Sequence, residues 1–81
     1  MSSIVSLLQL RPGQRGRIVA IRGGRGVHAK LFTLGIHPGN IVRVVMASPW
    51  GGPIYIHNET TGVRVAINRG VAHKIFVEIL R

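Results

Sequence analysis

Four histidines, two acids and nine arginines are the side chains of this 81-residue sequence with chemistry to offer, and their spacing restricts it. His28, His37, His57 and His73 stand 9, 20 and 16 residues apart, which matches no metal-ligand pattern such as H-x-x-x-H. His28 and His37 flank one predicted helix and are the pair a fold would most readily bring together. Cysteine is absent, which removes thiolate zinc sites, iron–sulfur clusters, disulfides and cysteine nucleophiles. Asp is also absent and the acids are Glu59 and Glu78 alone, so carboxylate pairs for acid–base work and carboxylate cages for hard cations are not available. No nucleophile, base and acid can be assembled from what remains. The expectation is a protein that is not an enzyme, with no catalytic residue, no metal site and no cofactor.

Three further patterns carry binding chemistry. Gly24-Arg25-Gly26-Val27-His28-Ala29 matches G-x-G-x-x-A, the loop that offers backbone N–H groups and a helix start to a pyrophosphate. A dinucleotide site also needs a parallel crossover and an acid about 20 residues on; no acid precedes Glu59, so a strand-to-helix loop is the better reading. The basic residues are dispersed along the chain. Such a spread serves as a phosphate-binding surface, or as a soluble face that docks on an acidic protein or lies near anionic lipid headgroups. Pro49-Trp50-Gly51-Gly52-Pro53 places the one tryptophan at the tip of a Gly/Pro turn. There it either folds back over the domain, the commoner outcome, or reaches for a partner.

The elements that must position these residues are short. The length allows one small domain, residues 1–81, with its core over about 7–80. Eleven Lys and Arg against two acids give a net charge of +9, while charged residues make up only 16% and hydrophobic ones 46%. A fold this small cannot bury all of that apolar content, which points to a partner or a homo-oligomer. Ile4 to Leu10 is too short and too interrupted for a signal peptide and no run reaches the ~18 apolar residues of a bilayer span, so a cytoplasmic location is expected.

Gly and Pro punctuate the chain at short intervals, with Val- and Ile-rich runs between them, the pattern of a small antiparallel barrel. Ser6-Leu7-Leu8-Gln9 fits a capping box and predicts one helical turn. Strands are expected over Arg15–Arg22, Ile41–Met46, Ile54–Asn58, Val63–Ile67 and Ile75–Ile79, with a helix over Val27–Leu34 stopped by Gly35. Asn68 is expected to cap a short helical turn through Ala72. Alternation directs Val42, Val44, Ile54, Ile56, Val65, Ile67, Ile75, Val77 and Ile79 inward, and Arg43, Tyr55, His57, Arg64, Phe76 and Glu78 outward. The fold class is therefore mainly β: an SH3-like five-stranded antiparallel barrel with one short helix after the first strand and a helical turn before the last.

The ordered set of these signals resembles one family. Leu7…Leu10-x-Pro12-Gly13-Gln14-x-Gly16-x-Ile18-x-x-Ile21 is followed by Gly23-Gly24 and by Lys30-Leu31-x-x-Leu34-Gly35-Ile36-x-Pro38-Gly39. Then come Val42-x-Val44, Gly52-Pro53-Ile54-x-Ile56, Val65-Ala66-Ile67 and Ala72…Ile75-x-Val77. Over nearly the whole chain this is similar to the ferrous iron transport protein A (FeoA) family. The resemblance implies a cytoplasmic SH3-like domain that assists the membrane ferrous transporter FeoB by contacting its cytosolic, G-protein-bearing region. It also implies that the chain reaches the membrane only through that transporter. The Val65-Ala66-Ile67 segment departs from a more usual Leu-Ala-Leu, and the arginine content exceeds what the family leads one to expect.

The predicted partner surface is the helix with the tryptophan loop. Leu31, Phe32, Leu34 and Trp50 act as apolar anchors in one continuous patch, with Arg25 and Lys30 at its rim steering an acidic partner. The alternative is a nucleic-acid-binding barrel that sets Arg15, Arg17, Arg43, Arg64 and Arg69 on phosphates and stacks Tyr55 on a base.

Overall fold

The computed structural model describes residues 3–81. Its strands are β1 (Ile4–Ser6), β2 (Arg15–Ile21), β3 (Ile41–Ala47), β4 (Ile54–Asn58), β5 (Arg64–Ile67) and β6 (Ile75–Leu80). Two short helices, α1 (Arg25–Thr33) and α2 (Arg69–Ala72), follow β2 and β5. All strand pairs are antiparallel and the sheet runs β1-β6-β2-β3-β4-β5.

Two expectations about the sheet are corrected. The described residues form six strands where five are predicted, because Ile4–Ser6 pairs with β6. Three residues are too few to show alternation, so this strand is defined by its partner and not by its own pattern. The sheet is also open: β1 and β5 are its two edges and do not pair with each other. Among the local signals, the capping box forms as read. Ser6 Oγ accepts from the Leu8 N–H at 3.1 Å, the Gln9 side chain accepts from the Ser6 N–H at 2.9 Å, and a 3₁₀ turn covers Leu7–Gln9. Asn68 caps α2 by accepting from the Val71 N–H at 2.9 Å.

The core holds Leu7, Ile18, Leu31, Ile36, Val42, Val44 and Ile56, joined by Ile54, Ile67, Ile75 and Val77. Of the predicted inward set, Val65 and Ile79 are half-buried and pack against the rest. At Gly16 two strands approach closely: a Cβ there would stand 2.8 Å from the Val77 side chain. Register shifts interrupt two ladders, between Ile18 and Ala20 on β2 and between Val44 and Met46 on β3. Each inserts one residue and turns the strand's faces over.

The polar centre of the fold is Asn58, which is fully buried. Its amide donates to the Gly35 carbonyl at 3.2 Å and to Asn40 Oδ1 at 3.0 Å, and its oxygen accepts from the Thr60 and Thr61 N–H groups at 3.0 and 3.3 Å. Both donors and both lone pairs are thereby used, which makes burial of the amide affordable. One side chain thus ties the end of α1, the turn before β3 and the β4–β5 turn.

Candidate functional site

Helix α1 begins at Arg25, two residues earlier than predicted. Gly24 is its extended cap, at φ −81° and ψ −171°, and gives no side-chain hydrogen bond. The helix ends in the Schellman pattern expected of Gly35: the Ile36 N–H donates to the Leu31 carbonyl at 2.9 Å and the Gly35 N–H to Phe32 at 3.0 Å. Leu31 is completely buried, so it belongs to the core and is removed from the predicted contact surface. Leu34 is half-buried against that core. Phe32 points outward with 72% exposure and meets the His37 ring edge-on at 5.2 Å between centroids. Arg25 and Lys30 are exposed on the same helix.

Trp50 occupies a different place. It sits three residues past the end of β3, while His37, on which Phe32 packs, lies four residues before its start. The seven strand residues between them correspond to about 20 Å of chain. The single continuous patch expected of Phe32 and Trp50 is therefore two separate surfaces. Nor does the indole fold back: Trp50 is 83% exposed. Its loop is nevertheless braced. The Ser48 N–H and hydroxyl donate to the Pro53 carbonyl at 3.4 and 2.9 Å, and Arg69 donates to the Ser48 and Gly52 carbonyls at 2.8 and 3.1 Å.

Next to this loop lies an apolar surface that alternation conceals. Because the register shift places Val45 as an extra residue, both Val45 and Met46 are exposed, where a regular strand would bury one of them. Met46 faces Tyr55 and Tyr55 faces Ala66 across the strands. With Arg64 and Val65 they line an open groove of about 410 Å³. The only sequence signal for it is the unbroken apolar run Val44-Val45-Met46, too long for a half-buried strand.

The basic residues also acquire an order. Arg15 faces Arg43, Arg43 faces His57, and His57 faces Arg64, a row across four strands. Glu59 holds two members, accepting from Arg15 Nε at 2.7 Å and from Arg43 Nη2. These hydrogen bonds, Arg15 first and then Arg43, lower the Glu59 pKa below the ordinary carboxylate value against a smaller opposing effect of burial. Glu78 pairs with Arg17 at 3.4 Å. Of the five predicted phosphate contacts, Arg15, Arg17, Arg43 and Arg69 have partners within the fold, and Arg64 has none among the described residues. No three histidine or acidic side chains gather among the described residues, and no helix there is long and apolar enough to cross a membrane.

A small open antiparallel β-sheet over one core, with two short helices and exposed apolar surfaces, is the build of an SH3-like domain. The chain matches the FeoA domain family over residues 5–79 and belongs to that family. A crystal structure described as iron uptake regulatory protein (FeoA) is similar at 37% identity and a TM-score of 0.87, covering 96% of this chain and all of its own. The solution structure of a FeoA protein from Chlorobium tepidum shares 27% identity at a TM-score of 0.84, over 95% of this chain and 71% of its own. A manganese-dependent transcriptional repressor shares the fold at a TM-score of 0.89 and 22% identity; the likeness covers 95% of this chain but only 37% of the repressor. A search of curated protein sequences returned no match.

Proposed function

We propose that this protein is an accessory of ferrous iron transport that works by binding the cytosolic region of a FeoB-type membrane transporter and performs no chemistry of its own. Membership of the FeoA family over residues 5–79 supports the link to ferrous iron transport. The observation that carries the binding role is α1, a nine-residue helix that buries Leu31 alone and leaves Phe32 72% exposed. An exposed Phe beside half-buried Leu34, with Arg25 and Lys30 around it, has the make-up of an apolar anchor with a steering rim.

Titration calorimetry of the chain against the cytosolic region of a FeoB-type transporter tests this. Binding is expected, with Phe32→Ala weakening it about tenfold or more. Arg25→Gln and Lys30→Gln should lower its salt dependence and leave the apolar contribution intact. Absence of binding, or a Phe32→Ala variant that binds like the wild type, would sink the reading. The nucleic-acid alternative has the Arg15–Arg43–His57–Arg64 row in its favour, but Glu59 already occupies two of those guanidinium groups. Any RNA affinity is therefore expected to be weak and to collapse as salt is raised.

A further inference from the structure

We infer that the Trp50 loop and the adjoining face of β3 dock directly on an anionic lipid bilayer. The surface lies apart from the α1 contact proposed above and goes beyond it, since the membrane is then met by the chain itself and not through a protein alone.

The presentation of Trp50 comes first. Every brace on its loop acts on backbone: Ser48 on the Pro53 carbonyl, Arg69 on the Ser48 and Gly52 carbonyls. The loop is fixed, yet the indole it carries is 83% exposed. An indole combines a large apolar body with one N–H donor, and that combination is at home at the headgroup level of a bilayer.

The register shift in β3 then supplies the apolar floor. Val45 and Met46 stand 48% and 52% exposed, beside Tyr55. Aliphatic side chains of this kind have no part in stacking on bases, whereas an interface absorbs them together with the two aromatic rings. This decides between a lipid and a nucleic acid as the polyanion.

Charge complements the floor. The chain carries +9, and its two acids are both held in ion pairs away from the loop. Glu59 follows the far end of β4, and Glu78 lies on β6 against Arg17. Arg64 lines the groove without an ion-pair partner among the described residues. The turn bearing Arg11 is fastened to the other side of β3 by the Gly13 N–H on the Val44 carbonyl at 2.7 Å. An anionic surface therefore meets cations on both flanks of an apolar strip.

The test is sedimentation of the full chain with vesicles of phosphatidylcholine alone and of phosphatidylcholine mixed with phosphatidylglycerol, read alongside the emission of Trp50, the one tryptophan. Sedimentation and a blue shift are expected with the anionic vesicles only, weakening as salt is raised. Trp50→Ala should cut vesicle affinity about tenfold. Arg64→Gln should cut it about fivefold. Ile4→Ser, which removes an exposed apolar side chain on the opposite sheet edge, should leave it unchanged. All three sites are exposed, so circular dichroism should show a retained fold. Failure to sediment, equal affinity for both vesicles, or wild-type affinity in Trp50→Ala overturns the proposal. A Trp50 shift with polyuridylate or with the transporter region, and none with vesicles, reassigns the surface and overturns it too. Phe32→Ala separates this outcome from the α1 reading, because only the latter depends on that ring.

Discussion

Arg69 Nη2 donates to the Ser48 carbonyl at 2.8 Å, and the same guanidinium reaches the Gly52 carbonyl through Nε at 3.1 Å. One side chain at the start of α2 thus clamps both ends of the loop that exposes Trp50. Two of its donors are thus engaged within the fold, at a residue that the nucleic-acid alternative sets on a phosphate. Arg69→Met keeps the aliphatic stem and loses both donors. It should destabilise the domain by about 1.5 kcal/mol, the lower range for hydrogen bonds from a charged donor. Trp50 anisotropy should fall as the loop loosens. Unchanged anisotropy would mean that Ser48 and Pro53 hold the loop without help.

Asn58 concentrates more of the fold than any other polar residue. Asn58→Ala removes a fully buried amide and leaves the half-buried Gly35 carbonyl and the Thr60 and Thr61 N–H groups without their side-chain partner. A loss of about 2–4 kcal/mol is expected from urea unfolding, large for an 81-residue domain. A cost well under 1 kcal/mol would show that water replaces the amide.

Much of this architecture is legible in residue types. The capping box at Ser6, the cap at Asn68 and the Schellman stop at Gly35 are local hydrogen-bond patterns, and local patterns survive the move from sequence to structure. Alternation likewise finds the core face of β3 through β6. What escapes is set by partners. β1 exists because β6 offers it an edge, and the exposure of Met46 follows from one inserted residue opposite β4. Leu31 and Phe32 are neighbours of similar apolarity, and only packing decides that one enters the core and the other leaves it. Trp50 and Phe32 read as one patch until β3 is seen to lie between them. Arg15, Arg43 and Arg64, scattered in sequence, become a row only through strand register.

Acid should act on stability through Glu59. Its carboxyl titrates below the ordinary carboxylate value in the folded protein because Arg15 and Arg43 hydrogen-bond its charged form. A depressed folded pKa contributes stability that is present above the unfolded value and is lost as pH falls through the folded one. Wild type should therefore exceed Glu59→Gln in stability at neutral pH. The gap should close in the acid range below the usual carboxylate pKa. A gap independent of pH would assign the difference to packing and not to charge.

Gly16 should tolerate no side chain. An added Cβ would stand 2.8 Å from both Cβ and Cγ2 of Val77, and the β2–β6 pairing fixes that Cβ in place. Gly16→Ala is expected to cost about 1–3 kcal/mol by overpacking. Val77→Ala alone opens a cavity, but in the double variant the new methyl occupies part of that space. The two costs should therefore sum to more than the double variant shows. Strict additivity in urea unfolding would mean that the strands separate to accept the methyl.

Helix α1 should gain from the opposite kind of change. Gly24 caps it with no side-chain acceptor, the first turn carries no acid, and Arg25 lies at the positive end of the helix dipole. The position is open, with nothing within 4 Å of a Cβ built there, and its extended backbone suits any residue. Gly24→Asp adds an acceptor for the free N–H groups of the first turn and a negative charge beside the dipole, and it restricts the unfolded chain. A gain of about 1 kcal/mol is expected from these effects together, or roughly 4–8 °C in Tm for a domain of this size. Amide exchange within α1 should slow more than in β3 or β4, because the change acts on fraying at one helix end. Uniform slowing across the sheet would show that α1 opens only with the whole domain, and that Phe32 is presented on a helix as firmly held as the core beneath it.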